Sequence, residues 1–156
     1  MRYYLDTEFD GHNGPLLSIA LVEETGISLY VRTTARASDP WVRDNVEPHM
    51  TSHNAHLRAY DIPPDWVGDN LRNFLRLGGN ILGERPIIIV ADSVVDIARF
   101  CRAISTNCEG GWHSVDGNLS FEVHDVSAYP TTLTGAVQHN AWWDAMALRH
   151  KLTAPA

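Results

Sequence analysis

Apolar positions along the chain change period several times. Arg2 to Phe9, Leu16 to Val22 and Ile27 to Thr33 read as strands, with Glu23-Glu24-Thr25-Gly26 as the hairpin turn between the second and third. Residues 35–65 turn polar and carry Pro40, Pro48, Pro63 and Pro64, which predicts a variable excursion with one short helix near Trp41 to Val46. From Val67 to Leu77 the apolar residues at 67, 71, 74 and 75 have helical spacing, and Gly78-Gly79 ends the run. Pro86-Ile87-Ile88-Ile89-Val90 is short and fully apolar, as in a central strand covered on both faces. Val94 to Ile104 predicts a second helix, Asn107 to Asn118 a Gly-rich loop, Leu119 to Val123 a fifth strand and Asn140 to Leu152 a terminal helix. Three antiparallel strands followed by helix, strand, helix, strand and helix predict an α/β fold. Its mixed five-stranded sheet would have flanking helices and form one domain over residues 1–156.

The carboxylates sharpen this picture. Side chains alternate along a strand, so Asp6 and Glu8 share a face with Tyr4, their Cα atoms about 6.5–7 Å apart. Two carboxylates side by side at the end of a central strand are costly unless a cation neutralises them or one stays protonated. A solvated strand end is the simpler alternative. In His139-Asn140-Ala141-Trp142-Trp143-Asp144-Ala145, residues five apart on a helix diverge by about 140°. His139 and Asp144 therefore converge only if His139 precedes the helix and Asn140 caps it. Taken alone, Asp144 also fits a residue that favours a helix N-terminus. Ala141, Ala145, Leu148 and Leu152 form the apolar stripe. Ala91-Asp92-Ser93-Val94-Val95-Asp96-Ile97 follows the apolar strand, at the end where open α/β sheets place their sites. Ser93 and Asp96 also fit a capping box, and Asp92 competes with Asp96 for any ligand role.

Composition adds limits. The 156 residues hold 12 Lys plus Arg against 19 Asp plus Glu, a net charge of −7, which argues against holding nucleic acid by a broad basic field. It leaves open a site that holds phosphate through metal ions. Two cysteines, Cys101 and Cys108, make no disulfide framework and fit a reducing cytoplasm. The N-terminal residues show no apolar signal core, and the aliphatic run from Ile87 to Ala91 falls far short of the roughly 20 residues that span a bilayer. His49, His53 and His56 have the spacing of one helix face, but Pro48 and the polar neighbours argue for a loop. Cys101 reads as core and Cys108 as exposed. Gly110-Gly111 reads as a turn, and no glycine loop followed by Lys is present.

Asp6-Thr7-Glu8-Phe9, Asp96-Ile97 and His139 to Asp144-Ala145, in this order, resemble the three motifs of the DEDD superfamily of 3′→5′ exonucleases, in its histidine subclass. The sister subclass has Tyr four residues before the last Asp, where this chain has Asn140. The middle motif keeps the Asp-Ile and its spacing but has Ala91-Asp92 and Val95 where the family often has His-Asn and Phe. The chain is most similar to the short single-domain bacterial and phage exoribonucleases. The resemblance implies a ribonuclease H-like fold and two-metal hydrolysis releasing nucleoside 5′-monophosphates. It implies two Mg²⁺ or Mn²⁺ ions held by Asp6, Glu8, Asp96 and Asp144, with Asp6 bridging and His139 as general base. Phe9 and Glu8 would contact substrate, Phe9 by stacking on a base if it is not taken up by core packing. Trp142 and Trp143 read as packing residues. Single-stranded RNA or a 3′ overhang is the implied partner, and a homodimer the implied assembly. A DNA-trimming exonuclease and an inactive nucleotide-binding module remain as alternatives.

Overall fold

β1 (Arg2–Phe9), β2 (Leu16–Glu23) and β3 (Ser28–Thr33) form an antiparallel meander in the computed structural model, which describes residues 1–51, 60–77, 86–109, 111, 119–126 and 133–154. Gly26, at φ 98°, supplies the left-handed residue of the turn between β2 and β3. On the other side of β1, β5 (Ile87–Ala91) runs parallel, pairing Arg2 with Ile88 and Tyr4 with Val90, and β6 (Leu119–Val123) runs parallel to β5. The predicted strands and helices among the described residues are all present, with ends shifted by a residue or two.

The sheet has six strands, not five, in the order β4-β3-β2-β1-β5-β6. The added one, β4 (Tyr60–Ile62), lies inside the polar stretch expected to be an excursion. It pairs parallel with β3, from Val31 opposite Tyr60 to Thr33 opposite Ile62. Three residues beside Pro63 and Pro64 are too short to display an alternation. The same stretch contains the expected short helix, α1 (Pro40–Asn45), capped by Asp39, whose side chain accepts from the Trp41 and Val42 amides. Gly78, Gly79, Gly110, His53 and His56 lie outside the described residues.

Period-two alternation gives the sheet two apolar faces. Tyr3, Leu5, Ile19, Leu21 and Ile89 pack under α2 (Val67–Leu77) and α3 (Val94–Ile104) through Leu71, Leu75, Phe100 and Ile104. Gly68 lets these helices meet, since a Cβ there would lie 2.1 Å from the Thr106 carbonyl oxygen. Tyr4, Ala20, Val22, Tyr30 and Val90 pack under α4 (Ala141–Thr153) through Ala141, Trp142, Ala145 and Leu148. Trp142 and Trp143 are packing residues, as expected, and the Trp142 indole N–H donates to Ser28 Oγ at 3.0 Å. A smaller cluster of Leu17, Val42, Val46 and Met50 seats α1. Cys101 packs half-buried against the first cluster and Cys108 is exposed. Among the described residues no helix is long and apolar enough to cross a membrane.

Candidate metal centre

β1 and β5 run parallel, so their C-terminal ends face the same way, and the paired register between them ends at Tyr4 and Val90. Past that point Asp6 and Glu8 leave β1 and Asp92 follows β5. A bulge between Glu8 and Phe9 re-aims the strand end. α3 brings Asp96 and α4 brings Asp144 to the same place. The result is a cavity of about 400 Å³ lined by Asp6, Glu8, Asp92, Asp96, His139 and Asp144, with no Lys or Arg on its wall among the described residues.

Two carboxylate triads meet there. Asp6, Glu8 and Asp144 offer oxygens that all lie within 4.8 Å of one another, and so do Asp6, Asp92 and Asp96. Asp6 belongs to both. Asp92 and Asp96, rivals in the sequence, both reach it. The alternative of a solvated strand end fails, because the acids are drawn together in a concavity rather than spread into solvent.

Each acid is positioned by a local device. Ser93 caps α3 by accepting from the Val95 amide at 3.1 Å. Asp96 is buried, and its Oδ1 accepts from the Thr7 hydroxyl at 2.5 Å. Thr7, on the opposite face of β1 from Asp6 and Glu8, thereby locks α3 to the motif strand. Asn140 is the N-cap of α4, accepting from the Trp142 and Trp143 amides at 3.1 and 3.2 Å. Its side-chain amide donates to the His49 carbonyl at 2.8 Å, and its backbone N–H donates to Asp144 Oδ2 at 3.3 Å. His139 precedes the helix with φ 60°, as convergence with Asp144 requires. The Trp41 indole stands edge-on to its imidazole, ring centres 5.4 Å apart.

The electrostatics follow from burial and crowding. Burial, then repulsion from Asp144 and Asp96, pushes Glu8 up to about 8. Burial also takes Asp144 up to about 7, against the pull of the Asn140 amide, and Asp96 up to about 6, against the Thr7 hydroxyl. Asp6 is driven well above the ordinary carboxylate range by burial first and then by Asp96, Glu8, Asp144 and Asp92. His139 is moved the other way, downward, by burial and then by His49. Oxygen donors in two triads with a shared member could hold hard divalent cations.

Phe9 joins none of the three core clusters. It is half-buried where the carboxylate cavity meets a second one of about 480 Å³, walled by Trp41, Val42, Val46 and His139, and the Arg99 guanidinium covers its ring at 4.5 Å. Sequence reasoning missed Thr7, Trp41 and Gln138, which also lines the carboxylate cavity. The alternation already placed Thr7 opposite the acids, but nothing in the sequence indicated that α3 crosses there. His49 contributes its backbone carbonyl to the cap of α4. No protein-family model matches the chain, and no curated protein matches it.

Proposed function

We propose that the chain is a metal-dependent 3′→5′ exoribonuclease that hydrolyses phosphodiesters at 3′ ends and releases nucleoside 5′-monophosphates. The observation that carries this reading is the Asp6 carboxylate shared by two acidic triads at the ends of parallel strands. The sheet order supports the ribonuclease H-like fold that the resemblance implies. Three antiparallel strands with two parallel ones beside the first would be its core, and β4 would be an addition at the far edge.

Asp6 would bridge two Mg²⁺ or Mn²⁺ ions, Glu8 and Asp144 would complete one site, and Asp96 with Asp92 the other. Bound there, the ions would neutralise the scissile phosphate and polarise the attacking water and the leaving oxygen. His139, whose pKa burial lowers, would serve as the general base for that water. Thr7 fixes one oxygen of Asp96. The Trp41 cavity, joined to the carboxylates through Glu8, Phe9 and His139, has the apolar wall that a terminal nucleoside needs, and a stacking surface accepts any base.

Incubation with 3′-labelled single-stranded RNA and DNA, with Mg²⁺, Mn²⁺ or chelator, tests the reading. Release of 5′-monophosphates from RNA that chelator abolishes is the expected result. Faster release from DNA would transfer the activity to DNA trimming. No product from either substrate would leave a binding module.

A further inference from the structure

In a chain of net charge −7, Arg99 and Arg102 stand nearly one turn apart on α3, and neither forms an ion pair among the described residues. Burial first and then repulsion from Arg102 hold Arg99 below its ordinary range, against the pull of Asp96. They line a groove made of two cavities, about 360 and 420 Å³, that share Asn13, Arg99 and Arg102. The groove starts at Val95, which also lines the carboxylate cavity. One wall is the turn after β1, tied down by Arg99, whose guanidinium donates to the Gly14 carbonyl at 2.5 Å and the His12 carbonyl at 2.7 Å. The floor is apolar: Val94 is 67% exposed, and Val95 and Ala98 lie beside it. Among the described residues, Asp65, at the far end, is the one acidic residue on the groove lining.

We propose that this groove carries the nucleic-acid strand upstream of the cleaved bond, its phosphates meeting Arg102 and Arg99 and its bases lying on Val94, Val95 and Ala98. The proposal rests on the nuclease reading for its direction only. A single strand presents phosphates on one side and base faces on the other, and the groove presents cations and an apolar shelf in the same division. From Val95 to Arg102, α3 rises roughly 10 Å, the length of about three stacked nucleotides. A dinucleotide seated on the carboxylates would therefore stop short of Arg102, and a longer strand would reach it.

The test uses the full chain and its Arg102→Glu and Arg102→Ala variants. Binding of a labelled RNA dodecamer and a dinucleotide is followed by fluorescence anisotropy in Ca²⁺. Hydrolysis of the p-nitrophenyl ester of thymidine 5′-monophosphate is followed in Mn²⁺. The parent should bind the dodecamer about ten-fold or more tighter than the dinucleotide. Arg102→Glu should erase that gain, and Arg102→Ala should lower the slope of log affinity against log salt by about 1. Dinucleotide affinity, ester hydrolysis and melting temperature should not move. A dodecamer affinity and salt slope indifferent to Arg102, or an equal loss for both lengths, overturns the groove. If the parent hydrolyses the ester while the dodecamer ignores Arg102, the groove alone falls. If the parent hydrolyses no phosphodiester yet binds the dodecamer through Arg102, the nuclease reading alone falls.

Discussion

Two sets of carboxylates leave the same end of β1 and meet opposite fates. Asp10, two residues past Glu8, is buried and accepts from the Ser38 amide at 2.8 Å, the Ser38 hydroxyl at 2.7 Å and the Asp39 amide at 2.9 Å. These donors hold it below the ordinary carboxylate range. It clasps the turn after β1 to the start of α1, and Gly14 closes against it so tightly that a Cβ would lie 1.7 Å from the Asp10 carbonyl oxygen. Asp6 and Glu8 face other carboxylates and are pushed upward instead. Burial leads the rise at Asp6 and Glu8, with the neighbouring carboxylates behind it, whereas at Asp10 the three donors outweigh it. An acid supplied with several protein donors is held in its charged form, whereas acids gathered beside one another are held toward their protonated form.

The largest effect comes from exchanging these roles by mutation. Asp144→Asn should lower kcat/KM beyond the ~10–100-fold that loss of an outer-shell partner costs. Its melting temperature in chelator should hold or rise, since repulsion is relieved. Asp10→Ala should do the reverse, lowering the melting temperature while activity per folded molecule survives, because two backbone amides and a hydroxyl lose their acceptor. Paired assays and thermal scans on the two variants check this. A stable, active Asp10→Ala protein would erase the distinction.

Thr7→Val probes the boundary between the two classes, because it removes the hydroxyl that donates to Asp96. Activity and Mn²⁺ affinity should fall about 10–100-fold, with a stability change of only about 1 kcal/mol. Titration of Mn²⁺ against turnover reads both.

A smaller effect is the dependence of stability on pH in chelator. Glu8, Asp144 and Asp96 have folded values of about 8, 7 and 6, all above their unfolded values near 4. Between those limits the folded state binds more protons than the unfolded one, so stability falls as pH rises from about 4 to 8. Urea unfolding in chelator should show greater stability at pH 5.5 than at pH 8. Saturating Mn²⁺ should reverse the trend, because the metal binds the deprotonated acids. A flat profile in chelator would place the acids in water.

How much of this was legible beforehand depended on how local each signal was. Asp6 and Glu8 share a face because strand alternation is a property of the chain itself. The His139–Asp144 convergence was readable from the spacing and from Asn140 as a cap. Asp96 stays open in the sequence, because the same residues fit a capping box and the Thr7 hydroxyl that holds it lies 89 positions away. β4 left no pattern, since three edge residues next to two prolines gain their strand character from β3 alone. The arginine groove was hidden for a related reason. On the helix, Arg99 and Arg102 look like an ordinary solvated face, and only the fold of the preceding turn walls them in.

His139 has one further consequence. Its left-handed backbone costs about 1 kcal/mol for a residue with a side chain and nothing for glycine. The main chain there would favour glycine, so the imidazole is retained against local strain. His139→Gly should therefore fold at least as firmly as the parent, be inert, and leave a ring-sized vacancy beside Trp41. Free imidazole diffusing into that vacancy should restore turnover in proportion to its neutral form.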